Sequence, residues 1–169
     1  MSIPSTEVPR HYTLVVSKSQ QHVSREAASK AGNRLKASGG REPEALAIAQ
    51  ALRVQHLEPT VCCFEALTRC AEHFQEAVVS YRLKRMRSIV SKLQRDNNRF
   101  KLGTLDDIGG CRLIVGSVRE VYEAVQILDG LLESWKTKDY IAEPQRSGYR
   151  SYHAICKVPV GGITYRIEV

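Results

Sequence analysis

No apolar run in this sequence approaches the roughly 18 residues that a membrane span needs. Its start, "MSIPSTEVPR", lacks the basic and then apolar blocks of a signal peptide. A cytoplasmic protein with no membrane partner is the expectation. Cysteine is scarce in the way that matters: there are five, Cys62, Cys63, Cys70, Cys111 and Cys156, an odd number without CxxC spacing. That count argues against a disulfide frame or a zinc site and for buried free thiols. No internal repeat or low-complexity segment is visible, which removes solenoids and linkers from consideration.

What is present fits one core with a helical annex. The chain has 169 residues, of which 43% are apolar and 25% charged, the balance of a soluble domain. Its net charge of +7 is uneven, because "YRLKRMRSIVSKLQRDNNRFK" carries eight Lys or Arg against one Asp. Such a run is ordinarily a solvated basic face, but it also suits an anionic ligand.

The first forty residues read as a loose or helical arm, with Pro4 and Pro9 early and "SGG" at 38–40 as a break. From Pro43, the spacing of Leu46, Ile48, Ala49 and Leu52 predicts a helix. Pro59 is expected to interrupt it, and a second helix is expected from about Val61 towards Ser80. Lys84, Ser88 and Lys92 fall at i, i+4 and i+8, which predicts one line along a third helix, with Met86, Ile89, Val90 and Leu93 turned to a core.

"CRLIVG" reads as a buried strand, "SVREVYEAVQILDGLLESW" as an amphipathic helix and "KDYIA" as another strand. A mixed α/β sheet flanked by helices is the fold these elements predict. "YRSYHAICKVPV" and "ITYRIEV" flank Gly161-Gly162 and predict an antiparallel hairpin. Its register sets Val160 opposite Ile163, Val158 opposite Tyr165, Cys156 opposite Ile167 and Ala154 opposite Val169. The other face then carries Tyr149, Ser151, His153, Ile155 and Lys157, with Arg166 opposite Lys157 and Glu168 diagonal to His153.

Asp107, in "LDDIGG", and Glu168, on a polar strand face, are candidate magnesium ligands, since Mg²⁺ commonly takes one or two carboxylates and completes its shell with water and phosphates. On the residues alone, ordinary surface acids explain the pair as well. Tyr149 can equally pack beside the Pro144 loop, Arg112 can be a structural ion-pair partner, and His153 can be solvated.

Three motifs resemble the RelA/SpoT synthetase family, enzymes that make the alarmone (p)ppGpp from ATP and GDP or GTP. Arg82, Lys84, Ser88, Ile89 and Lys92 match R-x-K-x-x-x-S-I-x-x-K; Asp107, Ile108, Gly110 and Arg112 match D-I-x-G-x-R; and "KDYIAEPQRSGYRSYH" matches K-D-Y-I-x-x-P-x-x-x-G-Y-R-S-x-H. "IEV" resembles the start of the family's E-x-Q-x-R-T strand. The likeness covers about residues 75–169, after a helical region at 1–74, where "SKSQ" and "AGNRLK" are similar to a less characterised subgroup.

The resemblance implies a nucleotidyltransferase-like mixed sheet and a nucleotide pyrophosphokinase. It implies that Arg82, Lys84, Ser88, Lys92 and Arg112 serve ATP or its phosphates, that Asp107 and Glu168 hold Mg²⁺, with Glu168 as the alternative general base, and that Lys138, Tyr149 and His153 hold the acceptor. Two positions on the acceptor side depart from the pattern: Gln145 stands where a lysine is common and Ser147 where an asparagine is. In the first motif Leu83 stands where a proline is frequent. The family's His-Asp hydrolase pair is absent, and the chain stops at Val169 inside a strand, so a domain cut short at its C-terminal end is expected. A tRNA 3′ end as acceptor, and a non-catalytic nucleotide-binding module, are the competing readings; the oligomeric state is open, with a homo-oligomer allowed.

Overall fold

The computed structural model describes residues 22–95 and 100–169. The expectations for the arm before residue 22, including "SKSQ", lie outside the described residues.

Three helices come first: α1 (Arg25–Ala37), α2 (Pro43–Gln55) and α3 (Leu57–Ala71). Ser24 caps α1 by accepting from the Ala27 amide at 3.1 Å, and Pro43 opens α2 at a position where its missing N–H costs nothing. The "SGG" break is a turn between them, as expected. Pro59 does not interrupt a helix. It sits in the first turn of α3, where amides have no intrahelical partner, so α3 begins four residues before Val61.

The second expected helix is too long by a whole element. α3 stops at Ala71, and Ala77–Leu83 form strand β1. Ser80 therefore lies in a strand. Lys84 likewise falls outside the third helix: α4 spans Met86–Gln94, so only Ser88 and Lys92 of the expected line are helical. The rest of the order is β2 (Gly109–Val115), α5 (Val118–Asp129), β3 (Glu133–Asp139), β4 (Tyr152–Val160) and β5 (Ile163–Glu168). α5 ends where Gly130 stands as its C-cap, short of the predicted Trp135, and β3 starts five residues before "KDYIA" and ends at its second residue.

The five strands form one mixed sheet in the order β1-β2-β5-β4-β3, with β2 and β5 parallel and the other pairs antiparallel. The hairpin register is as the sequence predicts: Val160 pairs with Ile163, Val158 with Tyr165 and Cys156 with Ile167, and Ala154 and Val169 exchange backbone hydrogen bonds of 2.9 and 2.8 Å. Gly161 and Gly162 both have positive φ, 57° and 77°, which the right-handed twist of a two-residue hairpin requires.

Strand alternation decides what each face holds. Cys63 and Leu67 of α3 join Cys111, Val158 and Ile167 in one apolar cluster, and Phe64 meets the Tyr81 ring at 5.0 Å. At Gly109 the two layers approach so closely that a Cβ would stand 2.1 Å from Thr60 Oγ1. Glycine is required there. A second cluster joins α1, α2 and α4 through Leu35, Ala49, Leu52, Ile89 and Leu93, and includes Ile108 at the entrance to β2. Arg82, Gly110, Arg112 and Glu168 alternate onto the sheet face turned away from α3.

Candidate active site

The connection after β1, the last turn of α4 and the turn into β2 meet at one carboxylate. Lys84 Nζ donates to Asp107 Oδ2 at 2.9 Å and Lys92 Nζ to the same oxygen at 2.6 Å. All three side chains are largely buried, with 18%, 22% and 16% of Lys84, Lys92 and Asp107 exposed. Burial acts to raise the Asp107 pKa, but the hydrogen bonds and charges of Lys92 and Lys84 outweigh it and hold the carboxyl below the usual aspartate range. Lys92 also lies 5.1 Å from the centroid of the Phe100 ring. Lys84 thus reaches Asp107 from beyond a strand end instead of from a helix face.

Asp107 Oδ1 is buried and has no hydrogen-bond partner among the described residues. An anionic oxygen left this way is costly unless a cation or donor meets it, so the site fits a hard, oxygen-seeking ion such as Mg²⁺. Ser88 is exposed in the first turn of α4, whose N-cap residue Arg85 makes no side-chain cap, so the leading amides of this nine-residue helix are available to an anion.

The second group lies on the open sheet face. A cleft of about 880 Å³ is lined by Arg82, Arg112, Tyr149, His153 and Glu168 among others. Lys84, Lys92, Asp107 and Lys138 do not line it. His153 Nδ1 is 3.4 Å from Glu168 Oε1, the diagonal neighbour that the hairpin register predicts. The side-chain contact of Glu168 is thus to His153, while those of Asp107 are to the two lysines.

Around His153 the loop is built by local hydrogen bonds. Asp139 Oδ1 accepts from the Ile141 and Ala142 amides at 2.9 and 3.0 Å, and its Oδ2 accepts from the Tyr122 hydroxyl at 2.9 Å. A tight turn follows, with the Gly148 amide donating to the Gln145 carbonyl at 2.8 Å. It delivers Tyr149, 43% exposed, whose hydroxyl lies 3.0 Å from His153 Nε2 and accepts from Ser151 Oγ at 3.1 Å. Lys138 pairs with His153 across β3 and β4.

Sequence reasoning passed over three participants. Tyr140 stands between them all: its ring is 5.5 Å from that of His153, 6.3 Å from Tyr149 and 5.7 Å from Lys138 Nζ. From the sequence it reads only as a core or rim residue, and it stands just past the end of β3. Arg166 donates to Asp106 Oδ1 at 2.9 Å and lies 3.8 Å over the Trp135 ring, beside the Asp107 turn. Arg53 of α2 donates through Nε to the Lys84 carbonyl at 2.8 Å. No signal in the sequence linked it to Lys84.

Residues 81–169 match the family described as the region found in RelA / SpoT proteins. The chain belongs to that family. Over 93 residues it is 37% identical to the GTP pyrophosphokinase YwaC of Bacillus subtilis, an alignment covering 52% of this chain and 44% of the relative. The GTP pyrophosphokinase YjbM of the same organism is 32% identical over 96 residues, again 44% of its length. The chain thus spans less than half of each of these two curated relatives.

Solved structures agree in fold. The small alarmone synthetase 1 of Bacillus subtilis, bound to its product pppGpp, superposes with a TM-score of 0.56 at 25% identity, covering 69% of this chain and 66% of that one. A GTP pyrophosphokinase family protein from Streptococcus pneumoniae gives 0.55 at 26% identity, covering 68% and 66%. No described helix is long and apolar enough to cross a membrane.

Proposed function

We propose that this chain carries out the synthetase step of its family: transfer of pyrophosphate from ATP to the 3′-hydroxyl of GDP or GTP, giving (p)ppGpp. The observation that carries this reading is the pair of largely buried ammonium groups on Asp107, one from Lys84 just before α4 and one from Lys92 in its last turn. Two cations and a helix N-terminus form a triphosphate seat, and phosphoryl transfer depends chiefly on positioning and charge stabilisation. Lys84 and Lys92 bind the phosphates with Ser88 at the helix start, and Arg82 and Arg112, both on the open face, take the rest of ATP. Asp107 would hold Mg²⁺, which when bound would neutralise charge on the phosphates; Glu168, whose side chain contacts His153, would serve either as a second carboxylate for the ion or as the general base.

On the acceptor side Tyr149 offers a half-exposed ring on which a nucleobase stacks, and Lys138 and His153 serve its polar and anionic groups. Glu168, paired to His153, accepts the proton of the acceptor 3′-hydroxyl as that oxygen bonds to the β-phosphorus of ATP. The bond from that phosphorus to the bridging oxygen of the α-phosphate breaks, and AMP leaves. Residues 75–169 carry this chemistry, and the helices α1, α2 and α3 support them. We place the protein in the cytoplasm. The names of the relatives point to guanine nucleotides and give no support to a tRNA acceptor or a non-catalytic module.

The test is incubation with Mg²⁺ and ATP labelled at the β- or γ-phosphate, offering GDP, GTP, ADP or deacylated tRNA in turn. Label is expected on GDP and GTP, with release of AMP. Transfer to tRNA alone, or none despite tight ATP binding, overturns the reading.

A further inference from the structure

Lys84 belongs to no regular element. It follows the last residue of β1 and precedes Arg85, the N-cap of α4, in a connection that is free to turn unless something pins it. Its two backbone groups are both held. The N–H donates to the Ile108 carbonyl at 2.8 Å, one residue past Asp107, and the C=O accepts from Arg53 Nε at 2.8 Å. The first bond ties Lys84 to the turn that carries its carboxylate partner. The second ties it to α2, 31 residues earlier and outside the segment 81–169 that matches the family.

We propose that Arg53 is a positioning residue: by holding the Lys84 carbonyl, it aims the Lys84 ammonium at the phosphate seat. A peptide carbonyl fixed from one side and its amide from the other leave the Cα–Cβ direction of Lys84 little freedom, and a side chain pre-aimed in this way loses less entropy when it meets a phosphate. Guanidinium suits the task because it stays charged and carries donors in a rigid plane. A role follows for the helical region: it sets the geometry of a nucleotide-binding residue that it does not itself contain. α2 is anchored for this, since Leu52, next to Arg53, is buried in the cluster that also includes Ile108 and Ile89.

The proposal rests on the reading of Lys84 as an ATP ligand, so its test has two readouts. One is amide hydrogen exchange at Lys84 and Arg85, which requires no nucleotide. The other is the affinity for α,β-methylene-ATP, measured by calorimetry in a double-mutant cycle. Arg53→Met is expected to speed exchange there and to weaken binding of the analogue about tenfold, the scale of a lost charge-assisted hydrogen bond. Arg53→Lys is expected to restore part of both, since an ammonium can donate to the same carbonyl. In a Lys84→Met background, Arg53→Met is expected to add nothing further to the loss of affinity. If Arg53→Met does not fold, Arg53→Gln, with a shorter amide donor, takes its place in the cycle. Unchanged exchange at Lys84, or an affinity loss that simply adds to that of Lys84→Met, overturns the proposal. Normal exchange behaviour without any binding of the analogue by the unmutated chain sinks the ATP reading instead.

Discussion

Asp107 exposes 16% of its side chain and has two ammonium partners on one oxygen; Tyr149 is 43% exposed and touches its neighbours by a single hydroxyl and ring edges. The two halves of the site are therefore made in different ways. The proposed phosphate seat is an ion-paired group held by charge in a place of low dielectric. The acceptor cluster around His153 stands open to solvent, held by a turn and by edge-to-face rings. Rigid charge suits the triphosphate, which is common to every reaction of this type, and a looser aromatic shelf suits the group in which acceptors differ.

The strongest way to break this contrast is Asp107→Asn. It removes one charge at nearly constant volume, and transfer is expected to fall by about 10²–10³-fold, the usual scale for loss of a preorganised electrostatic group. Circular dichroism should show the fold retained. Mg²⁺-dependent transfer at the original rate would take Asp107 out of the mechanism.

Next in size is a comparison of two cations at the end of α4, Lys92 and Arg95. Lys92→Met is expected to weaken ATP binding by about 1.5–3 kcal/mol, because Lys92 is largely buried on Asp107. Arg95→Met, at the exposed end of α4, should change it by less than about 0.5 kcal/mol. Equal losses that vanish together in high salt would reduce the seat to a diffuse basic face.

On the acceptor side, Tyr149→Ala is expected to lose about 1–3 kcal/mol of acceptor affinity with ATP affinity unchanged, and Tyr149→Phe to keep most of it. Gln145→Lys combined with Ser147→Asn sharpens the same half. It should raise the preference for GDP or GTP over other acceptors, read as the ratio of transfer efficiencies. An unchanged ratio would show that these two positions do not set the acceptor.

The smallest expected effect concerns the helical support. His56 is buried at the α2–α3 junction, its Nδ1–H donating to the Leu52 carbonyl at 2.8 Å and its ring against Tyr165 at 5.2 Å. Burial lowers its pKa from the ordinary histidine value, more than the Leu52 carbonyl raises it. A folded-state pKa below the unfolded one means that the unfolded chain takes up the proton first. Stability from this group is full above about pH 6.5 and declines below it, down to the lower folded-state pKa. Urea titrations between pH 7.5 and 5.5 should show the decline, and His56→Gln should flatten it. A flat profile in the unmutated protein would show that His56 is not desolvated.

The β4–β5 hairpin was legible because period-two alternation on both strands and the Gly-Gly turn allow one register, and Glu168 beside His153 followed from it. β1 was not legible. "AVVSYRL" follows the α3 helix without a Gly or Pro between, and its strand state comes from pairing with β2, which lies beyond α4 in the chain. Lys84 was wrongly placed on a helix, since i, i+4, i+8 spacing cannot tell a helix from a strand end followed by a helix. Tyr140 and Arg53 escaped because their contacts, to His153 and to the Lys84 carbonyl, are set by how elements pack.

By itself the sequence determined the residue chemistry and the local geometry: the motifs, the hairpin register, the helix that begins at Pro43 and the polar sheet face. Those depend on neighbours within a turn or a strand pair, where periodicity and glycine conformation suffice. Only the tertiary structure decided that Lys84 and Lys92 share one oxygen of Asp107 while Glu168 turns to His153, and that α2 reaches the site through Arg53. Such convergence depends on the packing of Ile108, Ile89 and Leu52 in one cluster and on the crossing of α3 over Gly109, distances in space that spacing along the chain does not encode.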